Sequence, residues 1–162
     1  MGAKLRFLGT NQQDGEWLVD PDTDAYIQGQ PLKFNTSGML ELCKCYREGH
    51  DDGYCGLAKG FSGSLAERLS DISNNKATYW PGYNQFKLDD TDPRNHDNDH
   101  FPYDTTLHYV PGDDIYIDEN GLLTNNSPGA HPGYGDVCDG ATPIAYVIAV
   151  HGEDYIIINQ VR

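Results

Sequence analysis

The residues best suited to chemistry form one short run, His96-Asp97-Asn98-Asp99-His100, within a polar segment from Asp89 to His100. Carboxylates and imidazoles gathered in one loop can hold a divalent cation or act as general acid and base. Five consecutive loop residues cannot all face one substrate, however, and nothing apolar among them would form a dry pocket. We therefore interpret Asp89 to His100 as a solvated surface loop, and whether it binds a cation stays open.

Two further patterns resemble parts of metal sites. The run Asp20-Pro21-Asp22-Thr23-Asp24 places carboxylates at alternate positions, as the start of a calcium loop does. Ala25 then occupies the position where that loop needs Gly, and Pro31 the position of its bidentate Glu. We therefore predict a solvated turn from Asp20 to Asp24. The cysteines lack the spacing of a usual zinc site, so the sequence predicts no metal and no other cofactor.

The four cysteines, Cys43, Cys45, Cys55 and Cys138, bear on the redox environment. The start from Met1 to Gly9 lacks the apolar run of a signal peptide, which predicts that the protein is made and used without secretion. In such a protein, cysteines are more often reduced thiols than a disulfide framework, and we expect reduced thiols here. A bridge from Cys43 or Cys45 to Cys55 stays open as an alternative.

Four aromatic residues, Tyr79, Trp80, Tyr83 and Phe86, surround the turn dipeptide Pro81-Gly82. Strand-like runs flank this dipeptide, which predicts a β-hairpin. Exposed rings on a hairpin could stack on a sugar, whereas alternation along the strands should turn at least half of these rings into the core. A carbohydrate-binding or receptor-binding module around Trp80 is therefore the alternative function that the sequence supports.

The usual catalytic signatures are missing from the sequence. It contains no Gly-x-Gly-x-x-Gly, no phosphate-binding loop, no Gly-x-Ser-x-Gly and no His-Glu-x-x-His. Nucleotide-binding, α/β-hydrolase and zinc-protease functions therefore have no motif to support them. We predict that the protein is not an enzyme, and we assign no catalytic residues.

The secondary structure that the sequence predicts includes a repeated β-hairpin. In Gly112 to Thr124, apolar residues alternate as a strand with one buried face requires, and a glycine supplies the turn. The earlier segment Gly29 to Leu42 repeats this pattern without a gap when Tyr26 is aligned with Tyr109. Each copy predicts a β-hairpin, which indicates a sheet built by internal duplication. The alignment places Leu32 on Ile115, Phe34 on Ile117, Gly38 on Gly121 and Leu40 on Leu123.

The remaining predicted elements are strands and one helix. Tyr54 to Ala58 is predicted to be a short strand. Ile144 to Val150 and Tyr155 to Ile158 are predicted to form a hairpin covered on both sides, by the protein itself or by another subunit. Ser64-Leu65-Ala66-Glu67 has the form of a capping box and predicts one short helix from Leu65 to Ile72.

Length and charge limit the architecture and the classes of partner. A chain of 162 residues fits one β-rich domain, 1–162, in which residues 1–15 are interpreted as an N-terminal arm or an edge strand. The net charge of −14 is unfavourable for binding nucleic-acid phosphates or an anionic membrane surface. No stretch approaches the roughly 20 apolar residues of a membrane-spanning helix. We therefore predict no nucleic acid and no membrane among the partners.

The second hairpin and the C-terminal strands resemble a known protein family. Tyr103 to Thr124 contains Gly-Asp-Asp-Ile-Tyr-Ile-Asp-Glu-Asn-Gly-Leu-Leu-Thr, and Pro143-Ile144-Ala145-Tyr146-Val147 and Tyr155-Ile156-Ile157-Ile158 follow it. These runs resemble the head decoration, or cement, proteins of tailed bacteriophages, which often carry such a hairpin, a Pro-Ile-Gly-x-Val-like strand and a closing hairpin. Ala145 stands where that strand usually has Gly. The resemblance covers residues 103–162 well, Gly29 to Leu42 less well, and the rest hardly at all.

What the resemblance implies is a mainly β fold, a small β-barrel or β-tulip-like domain with long loops, to which the capping box adds one short helix. It further implies a structural virion protein that binds the outer surface of a phage capsid and stabilises it by bridging capsid subunits. The expected partner is the major capsid protein, and the expected assembly is a homo-oligomer, either a trimer or a dimer. The expected location is the virion, after assembly in the host cytoplasm. The residues that contact the capsid stay unassigned.

Overall fold

A computed structural model describes residues 6–9, 15–24, 26–50, 53–59, 76–89, 101–129 and 135–162. Within these ranges the chain is all β and forms two antiparallel sheets, one of them curled into a half-barrel. This part of the chain contains no helix, and the helix predicted from Leu65 to Ile72 lies outside it. In chain order, the strands are β1 (Arg6–Gly9), β2 (Gly15–Leu18), β3 (Pro31–Phe34), β4 (Leu40–Leu42), β5 (Tyr54–Ala58), β6 (Lys76–Trp80), β7 (Gln85–Leu88), β8 (Asp114–Ile117), β9 (Leu123–Thr124), β10 (Ala145–His151) and β11 (Tyr155–Gln160).

The two sheets are copies of one five-strand module. Strands β2 to β6 form the first module, and strands β7 to β11 form the second. In each module, the order across the sheet is first, fifth, fourth, second and third strand. Among the described strands, β1 is an addition to this plan, because it pairs with the outer edge of β7. The two predicted hairpins are therefore confirmed. They lie in different sheets and not in one, and the repeated strand order extends to the whole module.

Strand pairing follows the same register in the two modules. The match begins in the hairpins and continues into the fourth strand of each module, so the copies agree residue by residue and not only in topology. A hairpin that recurred by chance would not be expected to repeat its pairing with a distant strand. The equivalent pairs are Phe34 with Leu40 and Ile117 with Leu123 in the hairpins, then Leu32 with Gly56 and Ile115 with Ala145 beside them.

The same tight turn precedes each hairpin. Gly29 and Gly112 have φ angles of 97° and 96°, in the left-handed region that favours glycine. Each glycine also bonds to the fourth strand of its module. The Gly29 amide donates to the Ala58 carbonyl at 2.9 Å, and the Gly112 amide donates to the Val147 carbonyl at 2.8 Å. The conformation of the turn and its hydrogen bond are thus both duplicated.

The turn glycines inside the two hairpins give a matched test of the packing. Gly38 and Gly121 have φ angles of 75° and 74°, but only Gly121 is enclosed, by the side chain of Leu42. We expect Gly38→Ala to lower the free energy of unfolding by about 1 kcal/mol, the cost of a side chain in the left-handed region. Gly121→Ala should cost roughly 1 kcal/mol more, because the new methyl group displaces Leu42. Urea unfolding measures both values, and equal costs would contradict the packing described here.

The modules stack with the outer face of the first on the inner face of the second. Leu57 and Ala58 are neighbours on β5 and therefore point to opposite faces of the sheet. Ala58 joins the smaller core, on the inner face of the first module, whereas Leu57 joins the larger core with Ile115 and Ile158 of the second module. The two modules therefore share a hydrophobic core. The other buried members of the smaller core are Tyr26, Leu32, Leu40, Leu42 and Ala77.

The hairpin predicted around Pro81-Gly82 is wrong. Trp80 ends β6 of the first module and Gln85 begins β7 of the second, so the segment between them crosses from one sheet to the other. Asn84 in this crossing is fully buried, and its Nδ2 donates to Gln160 Oε1 at 3.4 Å. A Pro-Gly dipeptide ends a strand in either arrangement, which is why the pattern does not distinguish a hairpin from a crossing.

The prediction of four reduced cysteines is also wrong. Cys45 and Cys138 form a disulfide, with Cα atoms 6.0 Å apart and a sequence separation of 93 residues. Cys45 follows β4 of the first module, and Cys138 lies between β9 and β10 of the second, so the bond links the modules. Neither Cys43 nor Cys55 takes part in a disulfide bond, so the alternative bridge to Cys55 is not formed.

Several other predictions are confirmed. Tyr54–Ala58 is a strand, and Ala145–His151 and Tyr155–Gln160 form the C-terminal hairpin. Of the two alternatives for the N-terminus, residues 6–9 form an edge strand. The carboxylates of Asp20 to Asp24 lie in a turn, in which the Asp22 amide donates to Asp20 Oδ1 at 2.8 Å.

Candidate functional sites

The acidic segment from Asp89 to His100 is described only at its first residue. Asp89 is 3% exposed, and Lys87 Nζ lies 3.4 Å from its Oδ2. Asp89 directly follows β7 and is buried, so the prediction that this segment faces solvent is wrong for Asp89. The run His96-Asp97-Asn98-Asp99-His100 lies outside the described residues.

The described residues show neither a metal-binding cluster nor a membrane-spanning helix. Across the described ranges, no three residues among His, Cys, Asp and Glu gather closely enough to suggest a metal centre. Nor does this part of the protein contain a helix with the length and apolar character needed to cross a membrane.

The four aromatic residues of the alternative sugar-binding hypothesis do not share one exposed surface. Trp80 and Phe86 are 7% and 0% exposed and pack together in the larger core, with ring centroids 5.0 Å apart. Tyr79 is half-buried and contacts Phe34 edge-on, at 6.3 Å between centroids. Tyr83 is 70% exposed and lies in the crossing between the modules. The expectation that at least half of these rings belong to the core is confirmed.

One face of β10 is open to solvent in the described part of the protein. Ala145 and Val147 are buried, whereas Tyr146 and Ile148, which alternate with them, are 41% and 36% exposed. Leu57 occupies the position of Tyr146 in the first module and is fully buried between the modules. The face that packs on a neighbour in the first module is thus uncovered by described residues in the second. We call it the β10 face, defined by Tyr146 and Ile148.

A second exposed apolar group lies on β2, at the edge of the first sheet. Trp17 and Leu18 are 51% and 42% exposed. The Trp17 ring is held in place, because its Nε1 donates to the Gly38 carbonyl at 2.8 Å and it contacts Phe34 edge-on. Trp17 is therefore an ordered, half-exposed ring at the hairpin turn of the first module.

The third candidate site is a pair of side chains that both modules contain. In the first module, Asn35 Oδ1 accepts hydrogen bonds from the Ser37 and Met39 amides, both at 3.0 Å, and so shapes the hairpin turn. Its Nδ2 donates to Asp20 Oδ2 at 2.6 Å. A donor therefore meets an acceptor in this pair, which is satisfied without any further group.

In the second module, the same positions carry two carboxylates. Asp118 replaces Asn35, and its Oδ1 accepts from the Asn120 and Leu122 amides at 2.8 and 2.9 Å. Asp104 replaces Asp20: its amide donates to the Leu123 carbonyl at 2.9 Å, as the Asp20 amide does to the equivalent carbonyl of the first hairpin. Asp118 is fully buried, and its Oδ2 has no hydrogen-bond partner. Two ionised carboxylates can only accept hydrogen bonds, so Asp104 and Asp118 cannot bond to each other as Asp20 and Asn35 do.

The electrostatics of Asp118 follow from this environment. Burial raises its pKa to about 6, and the neighbouring charges of Asp104 and Glu119 add to the increase. The two backbone amides that Oδ1 accepts act in the opposite direction and lower the pKa. Burial also raises the pKa of Tyr109, whose hydroxyl donates to the Asp104 carbonyl at 2.7 Å.

The sequence contained a signal for this pair. The gapless alignment of the two hairpins places Asn35 on Asp118, so the exchange of an amide for a carboxylate was visible. Asp20 and Asp104 fall one residue out of that alignment, and only the structure shows that they are equivalent. The pair of Asp104 and Asp118 was therefore not predicted from the sequence.

No protein-family model matches the chain. No curated protein sequence matches it significantly.

Proposed function

We propose that this protein is a structural virion component that binds the outer surface of a phage capsid and stabilises it by bridging capsid subunits. The observation that carries the proposal is the β10 face, where the exposed Tyr146 and Ile148 alternate with the buried Ala145 and Val147. This strand lies in the segment whose motif resembles the phage decoration proteins. Apolar side chains that alternate with core residues on a regular strand are suited to packing against another folded surface.

The stacking of the modules supports this use of the β10 face. In the first module, the equivalent face buries Leu57 against the second module, so this module packs through that surface within the chain. A partner that packed on Tyr146 would extend the same stack by one layer. The proposed partner is the major capsid protein, and a dimer or trimer of the chain would engage several capsid subunits at once. Several modest contacts then add up to strong attachment through avidity.

The rest of the proposal concerns location, architecture and charge. The protein acts on the virion surface after assembly in the host cytoplasm, and it carries no catalytic residues. A small β-barrel or β-tulip-like domain with one short helix from Leu65 to Ile72 belongs to the same proposal. The net charge of −14 would complement a basic patch on the capsid.

A carbohydrate-binding or receptor-binding module is the alternative function. Trp80 is 7% exposed, so a sugar could not stack on its ring without opening the core between the modules. Such a module would have to use Tyr83, which is 70% exposed. A glycan array that bound the protein, and lost binding on Tyr83→Ala, would favour this alternative.

A substitution on the β10 face tests the proposed contact. Tyr146→Asp is expected to weaken binding to isolated phage heads that lack the protein at least ~10-fold, because it places a charge in a desolvated contact. Tyr83→Asp is the matched control, since this exposed tyrosine lies in the crossing between the modules and not on β10. Binding to heads is measured by sedimentation of labelled protein. Equal binding of the two variants would refute the assignment of the contact to β10.

A further inference from the structure

The carboxylate pair of the second module has the composition of a cation site. We propose that Asp104 and Asp118 hold one divalent cation of the calcium type beside the turn of the second hairpin. The first module shows what the pair does in its neutral form, because Asn35 donates directly to Asp20 there. Replacing the amide nitrogen by an oxygen removes the donor, and a positive group bound to both carboxylates would satisfy the two acceptors that result.

The direction of the two oxygens supports this assignment. Asp118 Oδ2 is buried and without a hydrogen-bond partner, while Oδ1 of the same group is occupied by the turn amides. Asp104 shows the same division, because its Oδ1 accepts from the Thr106 amide at 2.9 Å and from the Thr106 hydroxyl at 2.6 Å. Each carboxylate therefore uses one oxygen for the fold, and the other oxygen is the one that the first module pairs with its partner.

Both oxygens lie beside Gly135. A Cβ atom on Gly135 would stand against Asp118 Oδ2 and 3.6 Å from Asp104 Oδ2, so both oxygens approach one point. Gly135 has a φ angle of 60°, and a side chain at this position would fill that point. Asp104 and Asp118 both line a neighbouring pocket, with Thr106 and Asn120 among its other polar residues.

The type of ligand selects the type of cation. Two carboxylates, with hydroxyl, amide and water oxygens completing the shell, suit a hard cation such as Ca²⁺ and not a metal that prefers sulfur or nitrogen. Only two of the ligands would carry charge, so the affinity should resemble that of weak calcium modules, with a dissociation constant on the order of 10⁻⁴ to 10⁻³ M. The site would therefore be filled in a calcium-rich medium and emptied by a chelator.

Calorimetric titration of the full-length, chelator-treated protein with CaCl₂ tests the proposal. Wild type is expected to show one saturable site. Asp118→Asn, which restores the chemistry of the first module, should bind Ca²⁺ at least ~10-fold more weakly, and Asp104→Asn should lose binding through the other ligand. The reciprocal variant Asn35→Asp should add a second site. Circular dichroism confirms that each variant is folded, and MgCl₂ and NaCl at matched ionic strength exclude general screening.

Either of two results would overturn the proposal. In the first, wild type takes up no Ca²⁺ in a saturable way, and the pair then holds no metal ion. In the second, Asp118→Asn and Asp104→Asn bind Ca²⁺ as tightly as wild type, which would locate calcium binding elsewhere in this acidic chain.

Discussion

Removing the Cys45–Cys138 disulfide is expected to lower the free energy of unfolding by about 3 to 5 kcal/mol. The bond closes a loop with a sequence separation of 93 residues and connects the first module to the second. Opening it gives the unfolded chain much more conformational freedom, while the folded state keeps its other contacts between the modules. The variant Cys45→Ser/Cys138→Ser, unfolded in urea beside wild type, measures the loss.

Cys55, which takes no part in the disulfide, supplies the control for this experiment. Cys55→Ser keeps the disulfide, so its stability should still fall when reductant is added, by the same amount as in wild type. The double variant should not respond to reductant. If reductant left the stability of wild type unchanged, the contribution of this bond would be refuted.

Replacing Asp118 by Asn is expected to stabilise the protein in chelating buffer at pH 7, by about 2 to 3 kcal/mol. Folding raises the pKa of Asp118 from 3.8 to about 6, so the folded state carries a buried charge at pH 7 that the unfolded state solvates freely. The stability that this group contributes is present below pH 4 and is lost as the pH rises through about 6. The advantage of Asp118→Asn should therefore be greatest above pH 6 and shrink as the pH falls toward 4.

Urea unfolding of wild type and Asp118→Asn at several pH values between 4 and 7.5 measures this difference. Asp114→Asn is the control, because Asp114 is exposed at the start of β8, the strand that Asp118 follows. Its replacement should change the stability by less than about 0.5 kcal/mol at each pH. A constant difference between wild type and Asp118→Asn across this range would show that Asp118 does not titrate with folding.

The hairpins could be predicted from sequence because they bury equivalent residues in equivalent places. Leu32 and Ile115 are both fully buried, and the turn glycines of both hairpins require the same backbone conformation. The rest of the module could not be recognised in this way. Leu57 and Tyr146 are equivalent in position, yet one packs between the modules and the other faces solvent, so different side chains suit the two sites.

The wrong predictions share a physical cause, which is that they depend on distant contacts. Trp80 and Gln85 are close in sequence but belong to different sheets, because each strand pairs better within its own module than with its neighbour along the chain. Cys45 and Cys138 are 93 residues apart in sequence, and the stacking of the two modules brings them together. Only one half of the candidate cation site has a signal in the sequence. The aligned hairpins place Asn35 on Asp118, whereas Asp20 and Asp104 do not align.

Co-sedimentation of the purified protein with phage heads that lack it tests the proposed function most directly. The decoration role predicts saturable binding at a fixed number of copies per capsid, with the mass of the free protein in solution giving the oligomer that binds. Protein that remained in the supernatant at every concentration, while its circular dichroism showed it to be folded, would contradict the role.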